Sequence, residues 1–246
     1  MKKIKILVDH FDRLFKECKC IESINFERFN INIIYNMENM FFSCSLKSII
    51  LSKFKSNKVI NTSHMFYGCN KLNKLDLSFL NTENVIFMDS MSESCYNLNE
   101  LNLSSLKTTN IKTMSGIFCL CESLEKLDLS NFSTINVVDM SFMFSGCHSL
   151  KELNILTFCT EKVTNMYDIF CECSKIEKLK LLNFNTSKVE NMSGMFSRCS
   201  SLKDINLSSF ETKKIKYMIS MFENCSSLKF LGLSGFSVGC LKNMVL

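Results

Sequence analysis

No run of apolar residues in this sequence approaches the roughly 18 to 20 that a membrane-spanning helix needs. The stretch Ile4 to Val8 is far too short for a secretory hydrophobic region, and no small-residue cleavage site follows it. Proline and tryptophan are absent, lysine, asparagine and isoleucine are heavily used, and this bias by itself implies no activity. Histidine occurs only three times, at His10, His64 and His148, and none is spaced to pair with a carboxylate or a nucleophile. There is no glycine-rich phosphate loop and no HExxH-type metal motif. These absences argue against an enzyme and leave no catalytic residue to nominate. Charge of one sign is scarce too. The net charge of +5 comes from 29 basic and 24 acidic residues. No Lys/Arg block is dense enough for a nucleic-acid footprint, and the short run from Lys2 to Lys5 reads as a solvated N-terminus.

What the sequence has in quantity is hydrophobic residues, at 46%, and cysteine, at fourteen. The cysteines show the organisation. Nine of them, Cys18, Cys44, Cys69, Cys95, Cys121, Cys147, Cys173, Cys199 and Cys225, follow at steps of 26, 25 and then 26 six times. The short step is a one-residue deletion just after Cys44. A repeat of this regularity decides the fold before any local pattern does. Eight phenylalanines precede the column cysteines by three residues, and Ser92 alone breaks that series.

Methionine could suggest a soft-metal site, because Met192, Met195 and Cys199 place sulfur ligands three and four residues apart. Yet eight methionines form one column, from Met37 to Met244, and six more form a second column three residues later. Ile117 and Ile169 replace methionine in the second column. Isoleucine fills the same volume and cannot ligate a metal, so the columns read as core, with thioether and thiol as packing groups. No metal ligand is nominated.

Each repeat splits into two local patterns. In "LEKLDLSNF", Leu124, Leu127, Leu129 and Phe132 begin with a three-residue step and then alternate, which predicts a short strand with Leu127 and Leu129 inward. Thr134 follows, in a column with Thr82, Thr108, Thr160, Thr186 and Thr212, and its hydroxyl is placed to cap a helix. Val137, Met140, Met143, Phe144 and Cys147 then recur at three- and four-residue intervals, which predicts an amphipathic helix. Neither half can bury its apolar face alone, and stacked neighbours supply the missing side.

The L-x-x-L-x-L phrase resembles leucine-rich repeats. The fuller phrases "MSFMFSGCHSLKELNI" and "LEKLDLSNFSTINVVDM" resemble BspA-type repeats, including the class first described in mycoplasma surface proteins. The resemblance covers about nine repeats from Val8 to the C-terminus. It implies an α/β solenoid of about nine 26-residue repeats, with short parallel strands on one concave face and short helices on the other. It also implies a surface or secreted adhesin-like protein, and the family has no known catalytic residues or cofactor. Residues 1–246 are expected to form a single repeat solenoid that begins and ends mid-repeat. The apolar end at Val245 and Leu246 lacks a polar cap. Either the chain is a piece of a longer protein or its open ends meet partners, with end-to-end self-association one consequence.

A function would sit on the strand residues between the inward leucines. The column Asn25, Ile50, Asp76, Asn102, Asp128, Asn154, Lys180, Asn206 and Gly232 is rich in Asn and Asp, stacked about one strand spacing of roughly 4.8 Å apart. It is either a side-chain ladder that polarises an exposed sheet face or a contact surface for a protein or glycan ligand. Asp76, Asn102, Asp128, Asn154, Lys180 and Asn206 are the candidate binding residues. A calcium site is disfavoured, because the clustered carboxylates and glycine turn of a calcium loop are missing. The flanking row Lys74, Glu100, Lys126, Glu152, Lys178 and Asp204 alternates in sign, which predicts cross-strand pairs rather than a polyanion groove. Near the end, Phe230 is a contact candidate or the interior of a next interface.

The regular cysteine column reads as reduced, buried thiols, which fits a reducing compartment or a bacterium with few disulfides. Seven N-x-S/T sequons occur, and two of them, at Asn102 and Asn206, lie on the strand column, where a glycan would block the face. The reading is therefore non-enzymatic protein or glycan recognition at the cell surface or in secretion. An intracellular interaction scaffold is the alternative, because no signal peptide is visible.

Overall fold

The computed structural model describes residues 10–26, 34–51, 57–78 and 80–237. The expectations about Lys2 to Lys5, Met244 and the apolar C-terminal end fall outside these residues.

The strand half of the repeat is present and short. β1 (Ser23–Asn25), β2 (Ser48–Ile50), β3 (Lys74–Asp76), β4 (Glu100–Asn102), β5 (Lys126–Asp128), β6 (Glu152–Asn154), β7 (Asp204–Asn206) and β8 (Phe230–Gly232) each have three residues. They pair in parallel one repeat apart, as in Lys74↔Glu100, Leu75↔Leu101 and Asp76↔Asn102. The pairs are β1–β2, β3–β4, β5–β6 and β7–β8. The repeat at 178–180 forms no strand, and its only bridge at the strand position is the parallel Lys178↔Asp204. A second parallel ladder runs without a break through His10, Asn36, Asn61, Phe87, Thr113, Asp139, Asn165, Asn191 and Tyr217. Nine successive coils are thus stacked as a solenoid.

The other half of the repeat differs from the expectation: among the described residues there is no helix. The repeat from Met140 to Cys147 shows what replaces it. The amides of Met143, Ser145 and Cys147 donate to the carbonyls of Met140, Phe142 and Phe144, three residues back. The alternate amides, of Phe142, Phe144 and Gly146, donate to Tyr167, Ile169 and Cys171 in the next coil at 2.8, 2.9 and 2.8 Å. An α-helix keeps its bonds four residues apart and within itself. Here every second bond instead joins neighbouring coils. Phe142 (φ 58°) and Gly146 (φ 72°) lie at the third positions of the turns begun by Met140 and Phe144, the positive-φ position of a type II turn.

The same two positions are left-handed in coil after coil, at Asn39 and Ser43, His64 and Gly68, Asp168 and Glu172, and Gly194 and Arg198. A non-glycine residue there costs roughly 1–2 kcal/mol, an expense offset only by the inter-coil bonds and the packing they enable. Met140, Met143, Phe144 and Cys147 all point inward and are fully buried. Their spacing suits a helix and a turn ladder equally, which is why the sequence pattern could not separate the two.

The threonine column does not cap helices either. The Thr134 hydroxyl donates to the Cys159 carbonyl and accepts from the Cys159 amide. Thr82 does the same with Lys107, Thr108 with Ser133, and Thr186 with Glu211. All four threonines are buried, so each hydroxyl joins one coil to the next inside the core.

Phenylalanines stack along the solenoid axis, with ring centroids 5.9 Å apart for Phe118–Phe144, 5.5 Å for Phe144–Phe170 and 5.7 Å for Phe170–Phe196. Where Ser92 interrupts this stack, its hydroxyl donates to the Ile117 carbonyl, so the polar substitute is satisfied. The methionine columns are core, as their repetition predicted.

Candidate functional site

Each strand has its middle residue inward and its flanking residues outward, as Lys74-Leu75-Asp76 and Lys126-Leu127-Asp128 show. This alternation presents two outward rows on one face. The row at the strand starts is charged, and Lys74–Glu100 and Lys126–Glu152 pair at 2.6 and 2.7 Å, as the alternating signs predicted. Hydrogen bonding to the facing glutamates raises the Lys74 and Lys126 pKa values above the ordinary lysine range. One residue earlier, Glu125–Lys151 and Glu177–Lys203 pair at 2.9 and 2.6 Å.

The row at the strand ends holds the candidate residues. Asp76, Asn102, Asp128 and Asn206 are exposed and Asn154 is half-buried. Each uses a side-chain oxygen to accept the amide two residues ahead, from Ser78, Ser104, Ser130, Ser208 and Leu156 respectively. These Asx turns end the strands. The Asn154 amide also donates to Asp128 at 2.9 Å. The Ser130 amide is the main cause of the lowered Asp128 pKa. Self-bonding along the column is therefore real at Asp128–Asn154.

Three shallow hollows on this face gather the candidates. Asp76 and Asn102 line one of about 450 Å³, Asn102 and Asp128 one of about 350 Å³, and Asp128, Asn154 and Lys180 one of about 550 Å³. Asn206 lines none of the three.

Lys180 stands where its neighbours have Asn, and it makes no Asx turn. Two residues beyond this row, Ser78, Ser104, Ser130 and Ser208 are replaced in adjacent coils by Leu156 and Leu182. Both leucines are exposed, at 52% and 67%. Lys178 and Lys180, beside them, form no ion pair among the described residues. The regular face is thus interrupted by Leu156 in the coil of β6 and by Lys180 and Leu182 in the next coil, the one between β1 and β8 that lacks a strand. Reading each column for its exceptions would have found Leu156 and Leu182 in the sequence.

Among the described residues, the buried column cysteines offer no reactive group at this face. The column thiols donate to the carbonyls of the preceding coil, as Cys69 to Phe41 at 3.1 Å and Cys147 to Phe118 at 3.2 Å. Burial pushes Cys69 and Cys121 up to about 12, which disfavours the thiolate needed for metal binding or attack. Among the described residues no group of three or more His, Cys, Asp or Glu is arranged to hold a metal ion. No helix among them is long and apolar enough to cross a membrane.

Among solved structures, a leucine-rich repeat protein from Bacteroides ovatus is 16% identical, over 94% of this chain and 79% of that one, with a TM-score of 0.33. A chain of the TLR13–ssRNA13 complex is 17% identical with a TM-score of 0.33, over 88% of this chain. This chain spans 35% of that TLR13-complex chain. No curated protein matches the sequence. The model of one repeat family matches residues 9–118, 76–155 and 146–244, overlapping segments that follow one another along the chain. As the resemblance to mycoplasma BspA-type leucine-rich repeats implied, this chain belongs to the family described as "Mycoplasma protein of unknown function, DUF285".

Proposed function

We propose that the chain is a non-enzymatic recognition solenoid that binds a protein ligand through its strand face, in the manner of a surface adhesin. The observation that carries this reading is the exposed pair Leu156 and Leu182 with Lys180, where the repeat otherwise places Ser and Asx, beside Lys178 of the charged row. Exposed apolar groups rimmed by charge fit a protein contact better than a glycan, whose hydroxyls need polar partners. Asp76, Asn102, Asp128, Asn154 and Asn206 extend the same face and supply polar contacts around it.

The test restores the repeat pattern with Leu156→Ser, Lys180→Asn and Leu182→Ser together. Beads carrying either form are assayed against an array of extracellular proteins and an array of glycans. The reading expects saturable binding to a protein, at least tenfold weaker for the triple variant at unchanged thermal stability. Equal binding by both forms, or binding to glycans alone, would contradict it.

An intracellular interaction scaffold is the second reading. The column thiols favour it, since those from Cys44 to Cys225 are engaged as hydrogen-bond donors and suit a reducing compartment. Brief proteolysis of intact cells from the native source separates the two. Cleavage of the chain before lysis places it at the surface, and survival until lysis favours the scaffold.

A further inference from the structure

A second concave surface lies away from the strands. It is a groove of about 940 Å³ lined by no residue of β1–β8, on the part of the coil between the threonine column and the uninterrupted bridge ladder. Its apolar residues are Tyr35, Ile60, Ile86 and Val138, three of them well exposed. One wall is fixed by amides. Asn84, Asn110 and Asn136 each donate to a backbone carbonyl of the preceding coil, at 2.7, 2.7 and 2.9 Å. The charged lining residues are Lys58, Lys112 and Lys162, and no carboxylate lines the groove. Lys58 is held by Tyr35, donating to its hydroxyl at 3.1 Å and lying 5.3 Å from its ring centre. Lys162 donates to Asn136 at 2.7 Å.

The lysines have a regular spacing. Lys58 and Lys162 share one column with Asn84, Asn110 and Asn136, and Lys112 sits two residues after Asn110, in the middle coil. Successive lysines are therefore two coils apart, about 9.6 Å along the axis at the spacing of parallel strands, with Lys112 offset across the groove by two residues. Three residues of a polyproline II helix rise about 9.3 Å and return to the same face. An acidic residue at every third position of such a segment would meet each lysine in turn, while the intervening side chains cover the aliphatic floor.

We propose that this groove docks an extended acidic segment of a partner protein, with carboxylates at every third position set against Lys58, Lys112 and Lys162. The proposal goes beyond the strand-face reading and is independent of it. A flat bilayer surface would meet the lysines without filling the groove.

The probe is a fluorescein-labelled peptide of four Val-Pro-Glu units. Its control has the same composition with the four glutamates clustered at one end. Fluorescence anisotropy with the full chain is expected to show saturable binding of the probe, at least tenfold tighter than of the control, and weakening with added salt. Lys58→Glu, Lys112→Glu and Lys162→Glu together are expected to abolish it. Lys112→Glu alone, which disturbs no internal hydrogen bond among the described residues, is expected to weaken it at least fivefold and keeps the test valid if the triple variant is unstable. No saturable binding of the probe, equal binding of the control, or insensitivity to Lys112→Glu would overturn the proposal. Binding of phosphatidylserine vesicles without binding of the peptide would overturn it in favour of a lipid surface.

Discussion

The hydroxyl of Thr134 lies 2.8 Å from the carbonyl oxygen and 2.7 Å from the amide nitrogen of Cys159, donating to one and accepting from the other. One buried side chain thus satisfies both backbone groups of a residue in the next coil. A solenoid has few contacts beyond nearest neighbours, so its stability rests on such coil-to-coil bonds. The threonine column is where they are placed most regularly.

Replacing Thr134 with Val keeps the shape and removes both bonds, leaving the Cys159 amide and carbonyl unpaired. We expect Thr134→Val to cost about 1–3 kcal/mol, read as a lowered urea midpoint. Thr134→Ser keeps the hydroxyl and should cost less than half as much. Equal costs for the two would mean that the methyl group, not the hydroxyl, matters there.

Gly194 has φ 62°, and a Cβ built on it would collide with an Asp168 carboxylate oxygen in the preceding coil. Gly194→Ala therefore carries a backbone penalty of roughly 1–2 kcal/mol and a clash in addition. Combining it with Asp168→Ala should recover the clash and leave the backbone part. A double-mutant cycle in urea measures both. Strict additivity would show that the two side chains do not meet.

The buried thiols make the fold sensitive to alkali. Burial raises Cys69 and Cys121 to about 12, and Cys95, Cys147, Cys173 and Cys199 well above 9.0. In the unfolded chain these groups lose protons near their ordinary value, while the folded form retains them. Their stabilisation is complete below about pH 9 and is lost as pH rises toward 12, with a slope of up to about 1.4 kcal/mol per pH unit for each thiol. Urea midpoints measured from pH 7 to 10.5 should fall steeply at the upper end. The pair Cys69→Ala and Cys121→Ala should flatten that fall, whatever it costs at neutral pH. An unchanged slope would mean that other groups control the alkaline limb.

The absence of helix among the described residues has a direct optical consequence. The far-UV circular dichroism spectrum should lack the paired minima of a helical protein. A spectrum dominated by those minima would contradict the turn ladder.

Much of this architecture could be read from the sequence. The 26-residue columns fixed the stack, the inward leucines and the core role of methionine and cysteine. The charge row foretold Lys74–Glu100 and Lys126–Glu152. The helix was misread because Met140, Met143, Phe144 and Cys147 share one inward spacing in both backbone forms. What separates them is the left-handed pair at Phe142 and Gly146, and only Gly146 advertises such a conformation. The threonine role was misread for the same reason, since a cap and a coil-to-coil bond both call for a buried hydroxyl. The candidate column was expected on the concave strand face, and Asp76, Asn102, Asp128 and Asn206 point away from the core. Its Asx turns were not foreseen, because they depend on the chain turning two residues after the strand. The exceptions at Leu156 and Leu182 were visible in their column, yet their meaning depended on knowing which column faces solvent.

Partners are proposed to meet the strand face. A photoreactive phenylalanine placed at Leu156 or Leu182, and separately at the exposed Ile135 away from the strands, tests this in cells of the native source. Discrete protein adducts are expected from positions 156 and 182, lost when Lys180→Glu is added, with different or no adducts from position 135. No adduct from either strand-face position, or the same adducts from all three, would contradict it.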